Sequence, residues 1–375
     1  MLQLAARKTN MAAKDLSILI PARNEMFLGK TIESILENIE MDTEIISVLD
    51  GEQPDPQIPD NDRVNIVYLS KSIGQRAATN LACKLSQAKY VMKVDAHCSF
   101  DKGFDRKMIE AFEKLGPDGE KTTMVPIMRN LWAFDWKCYH CGWKKYQGPT
   151  PEKCLQCEKS DRIRRKIVWI GKNNPQSTSY CFDSSPHFQY FEDWKHRPQY
   201  EHDKKEIGLT ETMSLQGSCF MMTREKYWEL EICDEKFGSW GSQGIEVATK
   251  TWLSGGRVLV NHSTWYAHMF RTQGGDFGFP YPISTKDQEK AKNYARNLFF
   301  DGNWDKQVRP LSWLVEKFWP VKGWTEDDLK KLKENTFKFK EISNEPKQNE
   351  IEPTTDQPSV SNSHLNFGVI YDSSI

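Results

Sequence analysis

The run Tyr90-Val91-Met92-Lys93-Val94 is largely apolar and ends abruptly in Asp95-Ala96-His97-Cys98. Side chains of an extended strand alternate between its two faces, so Asp95 and His97 leave the strand end on the same side and can grip one ion. A carboxylate beside an imidazole suits a divalent cation such as Mn²⁺ or Mg²⁺ that must also hold phosphate oxygens. An isolated D-x-H also ends ordinary strands, so other elements have to bring matching chemistry to the same place. A second cluster differs in kind. Cys138-x2-Cys141-x12-Cys154-x2-Cys157 sets two thiol knuckles a dozen residues apart, the pattern of a tetrahedral structural Zn²⁺ site. Cys83, Cys98, Cys181, Cys219 and Cys233 read as small core residues.

The elements that would position these groups follow from hydrophobic patterning. Leu16 to Pro21 is a compact apolar run stopped by proline, as in a buried parallel strand. Leu28, Ile32, Ile35, Leu36 and Ile39 recur at helical spacing. Strands are expected over Glu44–Leu49, ending at Asp50-Gly51, and over Val64–Leu69, with a helix over Gly74–Ala88 leading into the strand that ends at Asp95. Such alternation predicts an α/β fold with a mainly parallel central sheet. Ligands of these sheets bind beyond the carboxyl ends of the strands, where Pro21 to Glu25, Asp50 to Gln53 and Asp95 to His97 can converge on one crevice.

A helix with Phe104, Met108, Phe112 and Leu115 on one face comes next. From Trp132 to about Tyr200 the chain turns aromatic, basic and rich in small polar residues, and holds the cysteine cluster, so an inserted zinc-ribbon-like subdomain is expected. From Leu215 the α/β texture returns: a strand over Leu215–Met222, helices over Arg224–Leu230 and Gly244–Leu253, a strand over Arg257–Val260, and a segment Trp265–Arg271. Thr272 to Pro282, with three glycines and two prolines, suits a mobile lid. A helix over Lys286–Phe299, a Trp-rich part from Trp304 to Trp324 packing back on the core, and a helix from an N-cap at Thr325 to about Glu334 complete the ordered chain. The expected divisions are a first α/β half at 15–130, the cysteine insertion at 131–200, a second α/β half at 201–300 with its lid at 272–282, a helical extension at 301–340 and a polar, disordered tail at 341–375.

Composition narrows the function classes. The 375 residues are 38% hydrophobic and 27% charged with a formal net charge of -1, enough for a large core and too balanced for unspecific attraction to nucleic acid or anionic membrane, although local basic patches remain possible. No apolar run approaches the roughly 20 residues that cross a bilayer. Met1 to Lys14 lacks a signal-peptide core, being broken by Arg7, Lys8 and Asn10. A cytoplasmic protein without a membrane partner is expected.

In their order, the motifs resemble GT-A-fold, family-2-like glycosyltransferases, and most closely the catalytic domain of polypeptide N-acetylgalactosaminyltransferases. The resemblance is carried by Ser17-Ile-Leu-Ile-Pro-Ala-Arg-Asn-Glu25, by Val94-Asp-Ala-His-Cys98, by Ser239-Trp240-Gly241 with the helix after it, and by Ala267-His-Met-Phe-Arg271. It spans residues 16 to 300, with the cysteine insertion as a departure. It is also similar to soluble, often viral, GT-A enzymes that add a sugar to hydroxymethylated pyrimidines in DNA.

The resemblance implies a Rossmann-like fold with a nucleotide-sugar-binding half at 15–130 and an acceptor-side half at 201–300, and a UDP-sugar donor. It makes Asp95 and His97, completed by His268, the set that holds Mn²⁺, and gives Arg271 to the donor phosphates. Pro21, Ala22, Arg23, Glu25 and Asp50 would line the base and ribose, whose N3–H and hydroxyls are donors that carboxylates accept. Gly74 to Asn80 would lie over the nucleoside, with Thr79 where many relatives carry arginine. The main departure is Gln243, where relatives have an acidic residue. An amide cannot act as a general base, so either Glu246, one turn on, does so, or no side chain does and the leaving phosphate takes the acceptor's proton in a retaining reaction, the reading we favour.

For the acceptor, Trp143-Lys144-Lys145-Tyr146 and Arg162-Ile163-Arg164-Arg165-Lys166 interleave bases and aromatics as contact to phosphates and nucleobases requires. The expected acceptor is therefore the hydroxyl of a hydroxymethylated pyrimidine in DNA. The competing expectations are a cytoplasmic transferase acting on protein, polysaccharide or lipid-linked acceptors, and a zinc-dependent nucleic-acid-binding module on an inactive scaffold.

Overall fold

The computed structural model describes residues 14–334, apart from 53–57, 59, 239, 272–274 and 282–283. The first half alternates as patterned: β1 (Leu16–Ala22), α1 (Leu28–Asn38), β2 (Thr43–Asp50), β3 (Val64–Leu69), α2 (Gln75–Leu85), β4 (Tyr90–Val94), β5 (Cys98–Phe100) and α3 (Phe104–Lys114). β1 is buried along its whole length because helices cover both faces of the sheet at this point. It pairs in parallel with β2 on one side and β4 on the other, and β2 pairs in parallel with β3. Leu16 stands level with both Thr43 and Tyr90. That common register brings the carboxyl ends of β1, β2 and β4 to one edge.

The second half widens the sheet. β6 (Thr122–Cys138), β7 (Lys144–Tyr146), β8 (Ile163–Ser177), β9 (Tyr180–Phe182) and β10 (Phe188–Tyr190) are followed by α4 (Pro198–Glu206), β11 (Leu209–Glu211), β12 (Cys219–Thr223), α5 (Arg224–Glu229), α6 (Gln243–Leu253), β13 (Arg257–His268), α7 (Thr285–Ala295) and α8 (Leu311–Lys317). The strand order is β11-β13-β6-β12-β4-β1-β2-β3. β12 runs antiparallel to β4, while β13 is parallel to β6. The result is an α/β fold with a mostly parallel central sheet. Apolar cores lie on both faces, since Leu19 belongs to one and its neighbours Ile18 and Ile20 to the other.

Three details differ from the patterning. β6 does not break at residue 131: one 17-residue strand leaves the central sheet and runs out to Cys138, with β7 and β8 pairing along it. The cysteine segment is thus a three-stranded ribbon continuous with the sheet, and by Tyr180–Phe182 the chain is back in the main cores. The strand expected from Leu215 starts only at Cys219, because Gly217 and Ser218 turn their carbonyls to Lys93 Nζ (2.8 Å) and to the Asp95 N–H (2.8 Å). β13 continues past Val260 to His268 across an irregularity between Asn261 and Trp265. The Trp-rich part packs back on the core through Trp304, Phe318 and Trp324. Thr325 caps a last helix over 326–334, its hydroxyl accepting from the Asp328 N–H at 3.1 Å. The expected tail at 341–375 lies outside the described residues.

Candidate active site

Asp95 and His97 sit just past β4, and His268 ends β13. The backbone brings them together: His268 lies opposite Cys98 in the β13–β5 pairing, and the Met269 N–H donates to the His97 carbonyl at 3.1 Å. The His97 and His268 rings are 4.8 Å apart, and Asp95 Oδ2 lies 3.2 Å from His268 Nε2. One ligand atom from each of the three residues falls within 4.8 Å of the others. Two residues distant in sequence from His268 therefore share one point of space with it.

The protonation states suit a cation. Burial pushes the Asp95 carboxyl up, but the Lys93 ammonium and the His268 contact outweigh it and hold it well below the usual carboxylate range. Burial lowers His268 to about 4, leaving a neutral imidazole with a free lone pair. His97 Nδ1 lies 3.0 Å from Glu25 Oε2. Glu25 is ionised: burial raises its pKa, while His97 and Arg271 bring it below the ordinary value. An ionised Glu25 accepts the Nδ1–H and leaves Nε2 of His97 for an ion, the carboxylate–histidine arrangement common behind bound metals. The residues present fit a divalent cation.

These groups line a crevice of about 510 Å³ at the carboxyl edge of the sheet. Pro21, Ala22 and Arg23 line one wall, with Arg23 3.4 Å from Glu52. Gln75 and Gln243 line another, joined by a 3.2 Å side-chain hydrogen bond. The far wall holds His187, Phe188, Gln288 and Lys292. Phe279, Pro280 and Tyr281, from the expected lid, cover part of it. Arg271 reaches back from that cover: it donates to both oxygens of Glu25 at 2.6 and 2.8 Å and to the Gly278 carbonyl at 3.0 Å.

Four residues expected at the donor or the reacting centre have other tasks. Glu246 is fully buried, ion-paired to Arg76 and to Lys250 (3.1 Å), and accepts from the Asp234 N–H at 2.8 Å. A carboxylate so enclosed cannot reach an acceptor, because α6 points it into the core rather than the crevice. Asp50 is also fully buried. It accepts from Ser72 Oγ (2.8 Å), the Ile73 N–H (2.6 Å) and the Gly74 N–H (2.9 Å), so it shapes the turn ahead of α2. Gly74 serves that turn with φ 94°, a conformation that suits glycine. Asn80 bridges the Cys233 carbonyl, Glu235 and the Tyr227 hydroxyl on the far side of α2. Thr79 is buried and bonded to the Gln75 carbonyl, and the arginine that this helix does contribute is Arg76.

Sequence reading missed Lys93, His187 and Lys292. Lys93 had a visible signal, a charged residue inside an apolar strand. It is buried and its ammonium meets Asp95. His187 and Lys292, 105 positions apart and 2.7 Å from each other, had none.

At the tip of the ribbon the four cysteines form a second cluster. Cys138 and Cys157 sulfurs lie 3.7 Å apart and those of Cys141 and Cys154 3.5 Å apart. Tetrahedral thiolates at about 2.3 Å from a zinc ion would stand roughly 3.8 Å from one another. Burial raises the Cys138 and Cys154 thiols, but backbone N–H groups and the neighbouring thiols outweigh it and lower their pKa. At Cys141 and Cys157 a backbone N–H lowers the thiol, but burial and the neighbouring thiols outweigh it and raise the pKa, as expected where four thiols crowd one point. The four side chains could hold one tetrahedral ion.

A metal-capable Asp-His-His set at the carboxyl edge of a mostly parallel sheet, with a partly covered crevice in front of it, is the arrangement of a GT-A sugar-nucleotide fold. Residues 17–165 match the family model Glycosyl transferase family 2, so that stretch of the chain is similar to a glycosyltransferase domain of that family. Among individual relatives, N-acetylgalactosaminyltransferase 7 of Homo sapiens is 30% identical over 108 residues, which are 28% of this chain and 16% of the relative. A Drosophila melanogaster protein numbered 13 among the polypeptide N-acetylgalactosaminyltransferases is 22% identical over 320 residues, 80% of this chain and 48% of the relative. The matched stretch thus spans less than half the length of either. The crystal structure of GalNAc-T7 with UDP, GalNAc and Mn2+ shares the fold with a TM-score of 0.55 at 17% identity, over 88% of this chain and 57% of that one.

Proposed function

We propose that this protein transfers a sugar from a UDP-sugar to a hydroxyl acceptor with the help of a divalent cation, Mn²⁺ or Mg²⁺. The observation that carries the reading is the meeting of Asp95, His97 and His268 at the sheet edge. When bound by these side chains, the cation supplies positive charge against the departing diphosphate. The chain's own residues prepare that event. Glu25 orients His97 and, through Arg271, ties the lid to the metal set. Pro21, Ala22 and Arg23 line the wall where the resemblance puts the nucleoside. The similar GalNAc-T7 structure, which contains UDP, GalNAc and Mn2+, supports the donor class.

Retention of the anomeric configuration is part of the reading. Among the described residues that line the crevice, the carboxylates are Glu25 and Asp95, and both are committed to other groups. For the acceptor we keep the hydroxymethylated pyrimidine of DNA, supported by the basic, aromatic ribbon. The relatives' names favour a polypeptide acceptor instead, and that is the second reading. A structural zinc ion at Cys138, Cys141, Cys154 and Cys157 and a cytoplasmic location complete the proposal. All nine cysteines are free, and no helix among the described residues is long and apolar enough to cross a membrane.

The test is a panel of UDP-sugars with and without Mn²⁺, first for hydrolysis and then for transfer to hydroxymethylcytosine-containing DNA, unmodified DNA and Ser/Thr peptides. Metal-dependent hydrolysis that disappears in Asp95→Ala supports the core reading. No hydrolysis or transfer from any UDP-sugar sinks it.

A further inference from the structure

The ribbon has two unlike faces, and the pairing register says which residue belongs to which. Residues directly opposite one another in antiparallel strands share a face. Asp135 stands between Tyr146 on β7 and Lys166 on β8, and Lys137, two positions on, stands between Lys144 and Arg164. Further in, Trp132 pairs with Ile170. The Trp132 ring meets that of Tyr146 at 6.1 Å, and Lys172 Nζ lies 4.6 Å over Tyr146. This face therefore carries Lys137, Lys144, Arg164, Lys166 and Lys172 around Trp132 and Tyr146. The opposite face carries Phe134, Trp136 and Cys138, buried against Phe27 and Met269.

The charges on the outer face are unbalanced. Among the described residues, none of the five cations is ion-paired, whereas Arg165 on the inner face pairs with Asp276 at 2.8 Å and sits over Trp136. The one acid on the outer face, Asp135, is 8% exposed and accepts the Trp132 indole N–H at 2.8 Å. That bond and the Lys172 contact hold two rings in place while leaving Trp132 36% and Tyr146 45% exposed. Two neighbouring rings held in place with bare faces make a platform on which bases can stack. The whole chain, at net charge -1, supplies no general attraction to polyanions, so this local excess needs a local reason.

We propose that the outer face of the β7-β6-β8 ribbon is a docking surface for single-stranded nucleic acid. The cations meet the phosphates, and the rings of Trp132 and Tyr146 stack on unpaired bases. A single strand is favoured over a duplex because only unpaired bases offer their faces to aromatic side chains. It is favoured over a membrane surface because five cations surround the exposed Trp132, Tyr146 and Ile170, so charge rather than apolar area dominates the face. The surface lies outside the crevice. It deepens the DNA-acceptor reading above by giving the strand a place to be held, but strand binding does not depend on sugar transfer.

The test is fluorescence anisotropy of the zinc-loaded full chain with a labelled mixed-sequence single-stranded oligonucleotide, its duplex, polyphosphate and anionic vesicles, between 50 and 200 mM NaCl. Five phosphate contacts give a slope of log affinity on log salt of roughly -3.5, and roughly -1.4 in Lys144→Gln/Arg164→Gln/Lys166→Gln, which binds about 10- to 100-fold more weakly at low salt. Tyr146→Ser, which keeps the charges, lowers single-strand affinity about 5-fold or more without changing the slope. Thermal unfolding and zinc content of each variant identify any that fail to fold. Single-strand affinity unchanged in the triple variant, polyphosphate or duplex bound as tightly as the single strand, or binding confined to vesicles each overturns the proposal. UDP-sugar hydrolysis by the same triple variant stays at the parent level. A chain that binds strands but hydrolyses no donor would retain this surface and lose the transferase reading, whereas one that hydrolyses donor but binds no strand would do the reverse.

Discussion

Glu25 accepts from His97 Nδ1 at 3.0 Å while Arg271 donates to both of its oxygens at 2.6 and 2.8 Å. One buried carboxylate thus orients a metal-capable imidazole and anchors the start of the lid. Behind metal-binding histidines such a partner typically contributes about 10- to 100-fold in metal affinity. Glu25→Gln, which nearly preserves shape, is expected to raise the Mn²⁺ concentration for half-maximal donor hydrolysis by that factor. A variant that saturates at the parent Mn²⁺ concentration would show that the Glu25–His97 contact does not tune the site.

Glu246 and Arg76 make the opposite kind of statement. Both are essentially fully buried, with Lys250 as a third member. Removing one partner of a buried pair leaves an uncompensated charge and costs about 3–5 kcal/mol. Glu246→Ala should therefore lower thermal and urea stability strongly. A stable Glu246→Gln with turnover lowered a hundredfold or more would instead restore this residue as a base.

Much of the fold was legible because it follows from short-range patterning. Apolar runs stopped by Pro21 and Asp95, and the helical spacing of Leu28 to Ile39, dictated the parallel half of the sheet. The Cys-x2-Cys pairs were legible because a metal site with two knuckles needs that spacing and little else. The pointing of individual side chains was not. Whether the acid one turn into α6 faces a crevice or the core depends on how the helix rolls against Phe237 and Arg76, and neither contact is written in the local sequence. Asp50 stands at a strand end, where ligands bind, yet three donors from the next turn claim it first. The His187–Lys292 contact joins a loop to α7 along one wall of the crevice, and only the assembled chain brings them together.

The cysteine cluster predicts a metal-dependent ribbon. Cys154→Ser should lose one bound zinc equivalent per chain, measured by release to a chromophoric chelator, and should lower the unfolding temperature. The cysteine tip shares a small core with Met269, the neighbour of His268, and with Phe27, two residues from Glu25. The loss should therefore also weaken Mn²⁺-dependent hydrolysis by a few fold. Full zinc retention in Cys154→Ser would exclude the four-cysteine site.

His262 gives a pH signature. Burial and the nearby Lys204 lower its pKa to about 4, and its Nε2 lies 2.8 Å from the Thr210 hydroxyl. The unfolded chain binds this proton near pH 6.5, so between about pH 6.5 and 4 the unfolded state carries more protons than the folded one. The contribution of His262 to stability is full above about pH 6.5 and falls as the pH drops toward 4. A His262→Gln variant should lose less stability than the parent between pH 7 and 4, measured as the difference in unfolding temperature. Parallel curves for the two proteins would contradict a buried neutral imidazole.

The stereochemical outcome follows from which groups face the acceptor. Gln243 takes the Gln75 amide through its oxygen and sits 3.3 Å from the Cys233 sulfur through its nitrogen, and its amide has no proton-accepting capacity near neutral pH. With Glu246 inside the core, the crevice offers no uncommitted carboxylate among its described lining residues. His187 on the far wall is the remaining candidate. Its Nδ1 lies 3.2 Å from Asp183 and its Nε2 accepts from Lys292 at 2.7 Å, so its lone pair is already engaged. The expected product therefore keeps the donor's anomeric configuration, as read by NMR of the first product formed, and His187→Ala lowers transfer less than tenfold. A displaced general base costs about 10²–10⁴. An inverted product together with a loss of that size in His187→Ala would assign the base to His187 and end the retaining reading.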